Sequence, residues 1–178
     1  DSLVTMDLEV PANANGVLYA LAGFSGGLTC YVKDGILGYE FNLFEVQRTR
    51  ILATGKLPTG KVKVEVESKL AARIGGPMDV ILRVNGAVVG QGQVPAAMSL
   101  HFTGGNETFD IGSDMGSPVS LDYYDQAPFA FNGTIGTTAS WIVGLIGAGI
   151  ALWGFARARQ GKIAHGFAVK PLWAEDLL

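Results

Sequence analysis

An apolar run near the end of the chain, Trp141–Phe155, constrains the fold more than any other feature of the sequence. The run carries no charged side chain. Extended to Thr137 and Ala156, it reaches the length of about 20 residues that spans a bilayer as a helix. Helices in a soluble core are usually amphipathic, whereas this run is apolar on every side. We therefore predict a transmembrane helix over residues 137–157, with a buried or interfacial helix as the alternative.

The flanks and small residues of this segment favour the membrane interpretation. Trp141 and Trp153 lie near its two ends, where amphipathic rings prefer the membrane interface, and Arg157 and Arg159 mark its basic flank. Small residues spaced four apart let helices approach closely in a lipid bilayer. These candidate packing positions are Gly144, Gly147, Ala148 and Ala151. Basic residues favour the cytoplasmic side, so we predict a cytoplasmic tail over residues 158–178.

Residues 1–136 are patterned as short β-strands separated by tight turns. Apolar residues at every second position near the start, from Val4 to Val10, are typical of a half-buried strand. Asp34-Gly35 and Asn85-Gly86 each separate two alternating runs, which is a strong indication of a β-hairpin. About nine such strands predict a mainly β fold, an antiparallel sandwich or jelly roll, on the extracytoplasmic side.

Charge and cysteine content narrow the function classes. The net charge is -3 and the basic residues form no stripe, so no nucleic-acid partner is expected. Cys30 is the only cysteine, which excludes an internal disulfide framework and a cysteine-based zinc site. We predict a packed thiol here and not a nucleophile. Because the chain begins at Asp1, directly in a strand pattern, we expect a processed product or a fragment.

The least regular part of the β module, residues 109–133, contains the candidate metal ligands. They are Asp110, Asp114, Asp122 and Asp125. Calcium takes several oxygen ligands of this kind, but the spacing differs from that of a D-x-D-x-D-G calcium loop. Aspartates also stabilise turns through local hydrogen bonds. We interpret these four as structural, with a calcium site as the alternative; no other cofactor and no catalytic residue is predicted. Aromatic residues of the same segment are expected in the core or an interface: Tyr123, Tyr124, Phe129 and Phe131.

Five stretches in order resemble the C-terminal accessory domain of large bacterial arylsulfatases. They are Gly16–Asn42 (GVLYALAGFSGGLTCYVKDGILGYEFN), Phe44–Ile51, Leu57–Glu67, Val80–Pro95 and Phe109–Ile135. The resemblance implies a concanavalin-like sandwich that accompanies an α/β catalytic domain acting on sulfate esters. The family's C-x-P-x-R catalytic motif is not matched by Cys30, which stands in LTCYVK, so no catalytic residue is carried over.

The resemblance ends after Ile135, where the family's domain closes with one more strand and this chain continues into the predicted helix. Residues 142–178 are similar to a membrane segment of xylose-type sugar ABC transporter permeases. One hypothesis is a non-catalytic, membrane-anchored sandwich that packs as an accessory subunit on a partner protein or membrane complex. The other is an arylsulfatase accessory domain without its catalytic domain.

Overall fold

Alternating apolar residues produce a β-sandwich in the computed structural model, which describes residues 1–71, 75–97, 108–142 and 156–157. The strands are β1 Ser2–Val10, β2 Gly16–Gly23, β3 Gly26–Lys33, β4 Ile36–Leu43, β5 Gln47–Lys56, β6 Gly60–Leu70, β7 Met78–Val84, β8 Ala87–Val94, β9 Phe109–Ile111, β10 Thr134–Ile142 and β11 Ala156–Arg157. A short 3-10 helix covers Leu121–Gln126.

Two antiparallel sheets enclose the main hydrophobic core. The six-stranded sheet has the order β11-β10-β1-β6-β7-β8, and the five-stranded sheet has the order β5-β4-β3-β2-β9. The residues predicted to alternate inward do face this core; among them are Met6, Leu8, Cys30, Val32, Tyr39, Phe41, Val64 and Leu82. The predicted antiparallel sandwich is therefore confirmed.

Both predicted two-residue hairpins are also confirmed. Asp34 and Gly35 join β3 to β4 with φ angles of 52° and 82°, and Asn85 and Gly86 join β7 to β8 with 51° and 83°. Positive φ at both central positions defines the turn whose twist matches that of paired strands. Asparagine, aspartate and glycine tolerate this conformation best, which explains why these dipeptides occupy the two turns.

The edges of the two sheets approach closely where β5 meets β8. A Cβ atom added at Gly90 would lie 2.7 Å from the carbonyl oxygen of Leu52. One added at Gly92 would lie 2.8 Å from Cγ1 of Ile51. Glycine is therefore required at these two positions by the space available and not by their backbone angles.

Residues 137–142, predicted to begin a transmembrane helix, belong instead to strand β10. This strand pairs with β1, with Trp141 opposite Leu3, and its Thr137 pairs with Arg157 of β11. The helix prediction is wrong for these residues. The predicted domain boundary at residue 136 falls inside strand β10, so the chain does continue as a strand after Ile135. An apolar run by itself does not distinguish a helix from a strand. The strand is favoured here because it gives the backbone groups along the edge of β1 hydrogen-bonded partners.

In the described part of the chain, no helix has the length and apolarity that a membrane crossing requires. Residues 143–155 lie outside that part, as do Gly144, Gly147, Ala148, Ala151, Trp153, Arg159 and the rest of the tail. The membrane helix and the cytoplasmic tail stay predictions.

Candidate functional site: a covered sheet face and an apolar loop end

The outer face of the five-stranded sheet is covered by residues 112–133, here called the covering segment. Strands β3 and β4 present polar side chains on this face, and Thr29, Glu40 and Asn42 are nevertheless buried. A second, smaller apolar cluster forms between the sheet and the segment: Val17, Ala20, Tyr31, Val119, Tyr123 and Phe129. The covering segment thus adds a third layer over the sandwich.

Tyr123 and Asp114 anchor the centre of the covering segment. The Tyr123 hydroxyl donates to Oδ2 of Asp114 at 2.7 Å and lies 3.0 Å from Oγ1 of Thr29. The same carboxylate oxygen accepts the Val119 amide at 2.9 Å. Burial and the nearby charge of Asp114 raise the pKa of Tyr123, so its hydroxyl remains a neutral donor. Tyr123 also stacks on Phe129, with ring centroids 5.3 Å apart.

Asp122 binds the covering segment to basic and phenolic groups of the sheet. The Tyr31 hydroxyl donates to its Oδ2 at 2.5 Å, Arg50 pairs with its Oδ1, and Lys33 donates to its main-chain oxygen. Burial raises the pKa of Asp122, but the hydrogen bonds from Tyr31 and Arg50 outweigh that effect and hold this pKa below its ordinary range. Asp122 therefore remains ionised and attached to the sheet.

Glu40 is a buried carboxylate that joins strand β4 to both β5 and the covering segment. Its Oε1 accepts from Arg48 at 3.1 Å, and its Oε2 accepts from the Ser120 hydroxyl at 2.6 Å. Arg48 also donates to the Val119 carbonyl at 2.5 Å. Buried charges require such partners, because an unpaired carboxylate loses its hydration without compensation.

The structure does not bring the four candidate aspartates together as one group of metal ligands. Asp114 and Asp122 are bound as described, and Asp110 accepts hydrogen bonds from Thr108 and the Met115 amide. Asp125 is exposed. Across the described ranges, no three histidine, cysteine or acidic side chains come together in an arrangement suited to a metal ion. The contacts favour the structural interpretation of these aspartates over the calcium alternative.

Cys30 is fully buried and unpaired with any other cysteine. Burial raises the pKa of its thiol, which keeps the group protonated and poorly nucleophilic. The prediction of a packed thiol is confirmed.

Two turns meet at one end of the five-stranded sheet and are tied together by Asn42. Its Nδ2 donates to the Phe24 carbonyl of the β2–β3 turn at 2.7 Å, and its Oδ1 accepts the Glu45 amide of the β4–β5 turn at 2.9 Å. The guanidinium carbon of Arg48 lies 5.1 Å from the Phe24 ring centroid. Tyr124 meets the same ring edge-on at 5.4 Å.

Apolar side chains stay exposed at this place, which we call the loop end and define as Phe24, Phe44, Val46 and Tyr124. Phe44 is 40% exposed, Tyr124 49% and Val46 86%. Sequence patterning missed this surface because it placed Tyr123 and Tyr124 in one group of core or interface residues and singled out neither Phe44 nor Val46. A hairpin tip that lacks glycine, asparagine and aspartate is the feature that could have revealed it.

A shallow groove with a volume of about 460 Å³ lies on the outer face of the six-stranded sheet. Its lining includes Asp7 and Glu9 of β1 and Lys61 and Lys63 of β6. The strand register places Asp7 opposite Lys63 and Glu9 opposite Lys61. Opposite charges therefore face each other across the strands, which is typical of a solvated sheet face.

Comparison with known proteins establishes the fold. No protein-family model matches the chain, and no curated protein matches it. The structure of mouse laminin alpha1 chain domains LG4-5 is similar with a TM-score of 0.53 and 16% identity, over 78% of this chain and 35% of that chain. A heptameric SAP-like pentraxin from Limulus polyphemus gives a TM-score of 0.46 and 15% identity, over 79% and 63%.

These likenesses concern architecture alone. The chain spans 35% of the laminin chain and 63% of the pentraxin chain, so it covers less than two thirds of either one. The likeness to the laminin domains identifies a mainly β, antiparallel, concanavalin-like sandwich. The arylsulfatase resemblance is a separate matter and stays a prediction.

Proposed function

We propose that the chain is a non-catalytic β-sandwich module that packs on a partner protein through its loop end. The observation that carries this proposal is the exposure of Phe44, Val46 and Tyr124 at one end of the sheet. Clustered apolar side chains on a protein surface mark contact sites, and aromatic residues and arginine are enriched in the centres of interfaces.

The polar network supports a structural role for the residues that might otherwise suggest chemistry. Glu40 and Asp122 accept hydrogen bonds that hold the covering segment against the sheet, and Asp114 accepts one from Tyr123 within the segment. A catalytic acid or base must instead reach the proton of a bound substrate. These three carboxylates are committed to contacts within the chain.

A test of the module uses the full chain in the cells from which its gene comes. Native electrophoresis should show the chain in a discrete complex larger than a monomer. Tyr124→Asp should release it, because a charge would be buried in the contact, while Thr54→Asp should not. Thr54 is exposed on the same sheet, toward the far end of β5. The proposal would be refuted if the wild-type chain from those cells migrates as a monomer on the native gel.

A second candidate is the accessory domain of an arylsulfatase, whose partner would be an α/β catalytic domain. It is favoured by the resemblance that runs from Gly16 to Ile135. The full chain, mixed with an arylsulfatase catalytic domain that lacks its own C-terminal sandwich, should bind and raise its melting temperature. Absence of binding would refute the arylsulfatase candidate. The more general proposal of a partner-binding module would still be decided by native electrophoresis.

A further inference from the structure

The β4–β5 turn differs in composition from the two hairpin turns described above. Phe44 and Glu45 occupy its two central positions with φ angles of 50° and 60°, and the Val46 amide donates to the Leu43 carbonyl at 3.0 Å. Both central residues are thus in the left-handed region. The other two hairpins place Asp-Gly and Asn-Gly in that conformation, so Phe-Glu is the unfavourable choice.

Much of the apolar surface of this turn gains no burial from the choice. A bulky residue with positive φ is an outlier that persists only where the surroundings enforce it. Phe44 is nevertheless 40% exposed and Val46 86% exposed. Strain combined with exposed apolar surface indicates that the residues of this turn serve a contact outside the chain.

We propose that the β4–β5 turn is a docking knob whose Phe44 and Val46 side chains enter an apolar pocket of a folded partner protein. Glu45, between them, pairs with a basic side chain at the mouth of that pocket. This inference rests on the proposed function and deepens it by naming the chemistry of the partner's surface.

The charge of Glu45 argues for a protein partner over a lipid surface. Within the described residues, Glu45 takes part in no ion pair, whereas the neighbouring Arg48 is paired with Glu40. Anionic headgroups would repel this carboxylate, and a hydrocarbon layer would desolvate it without compensation. A protein pocket can supply both an apolar lining and a cation.

The knob is held in place before any partner arrives. Asn42 accepts the Glu45 amide and donates to the Phe24 carbonyl of the β2–β3 turn, so one side chain ties the knob to the neighbouring turn. A contact surface that is already ordered loses less conformational entropy on binding.

The inference is tested by photo-crosslinking from position 46 of the full chain in its own cells. A benzophenone amino acid at position 46 should give one protein adduct, and the same group at Thr54 should not give it. Mass spectrometry should place the crosslink beside a lysine or arginine of the adduct. Glu45→Lys should lower the adduct yield by about ten-fold or more through charge repulsion. An unchanged yield would overturn the inference.

The double change Phe44→Asn and Glu45→Gly separates docking from folding. It installs a favoured turn dipeptide, so the melting temperature should rise while the adduct disappears. A lower melting temperature would show that the turn serves folding. Flotation with phosphatidylethanolamine and phosphatidylglycerol vesicles should show no binding that depends on Phe44, and binding lost in the double variant would point to lipid instead.

The outcome also distinguishes this inference from the function on which it rests. If the double variant keeps the native complex and Tyr124→Asp loses it, the loop end docks and only the knob is refuted. If the wild-type chain forms no complex, both proposals fail.

Discussion

Single residues show how tightly the two sheets are fitted together. Gly90 and Gly92 of β8 face Leu52 and Ile51 of β5 at distances that leave no room for a side chain. The obstacle at Gly90 is a main-chain oxygen, which cannot rotate away as a side chain could. Interiors packed this closely resist added atoms, because relief requires the backbone to move.

Gly90→Val should therefore destabilise the fold by about 1–3 kcal/mol, the usual effect of overpacking. Gly55→Ala is the matched control, since a Cβ atom there meets nothing within 4 Å. Denaturant unfolding followed by fluorescence gives both free energies. A Gly90→Val chain as stable as the Gly55→Ala chain would show that the sheets can move apart at this edge.

The Asp122 carboxylate should make stability depend on pH. Its pKa in the folded chain is lowered, because the donors Tyr31 and Arg50 outweigh the effect of burial. A lowered folded pKa gives stabilisation that is complete above the unfolded pKa of about 4 and is lost as the pH falls through the folded value.

Melting temperatures measured from neutral pH downward should fall more steeply below about pH 5 for the wild type than for Asp122→Asn. Glu67→Gln on the other sheet is a positive control, because hydrogen bonds from Lys69 and Arg83 also lower the pKa of Glu67. Parallel profiles for the wild type and Asp122→Asn would contradict the role given to the Tyr31 and Arg50 contacts.

At the scale of elements, the covering segment behaves as a small layer with its own core. It is irregular, as its aspartates, glycines and prolines predict, yet Val119, Tyr123 and Phe129 pack against the sheet. The hydrogen bond from Tyr123 to Asp114 joins two parts of the segment, and Thr29 connects them to β3.

Tyr123→Phe should destabilise the chain by about 1–3 kcal/mol, because the buried Asp114 carboxylate loses one donor. Tyr124→Phe removes the same atom from an exposed ring and should change stability by less than about 0.5 kcal/mol. Thermal and denaturant unfolding of the two variants measures the difference. Equal stabilities would mean that the segment is held by its apolar contacts alone.

The sequence predicts those parts of the fold that depend on local chemistry. Alternation identifies the inward residues of β3 and β4, and the Asp-Gly and Asn-Gly pairs identify two hairpins, because both signals act between neighbours. The loop end is not predictable in this way. Phe24 and Glu45 are brought together by Asn42 only after three strands have paired, and no local pattern encodes that meeting.

At the scale of the whole molecule, strand β10 is the largest difference between expectation and structure. Thr134–Ile142 reads equally well as the start of an apolar helix or as a strand, because composition alone does not separate them. The deciding factor is long-range: β10 pairs with β1 from Ser2 to Glu9 and lies between β1 and β11. Such a contact cannot be inferred from the residues nearby.

The position of β10 predicts where the sandwich can be shortened. A chain of residues 1–157 keeps every described pairing of β10, whereas a chain of residues 1–136 keeps only Thr134, Ile135 and Gly136 of this strand. The shorter chain leaves the edge of β1 unpaired from Ser2 to Met6, beside the buried side chains of Val4 and Met6. An unpaired apolar edge invites association with other chains.

We expect residues 1–157 to unfold in one cooperative transition and to elute as the full chain does. Residues 1–136 should melt at lower temperature, over a broader range, and should aggregate, because hydrogen bonds and core coverage are lost together. Circular dichroism and size-exclusion chromatography of the two chains make the comparison. If residues 1–136 melt as sharply and at the same temperature as residues 1–157, the sandwich is complete without most of β10, and the boundary first predicted at residue 136 is the correct one.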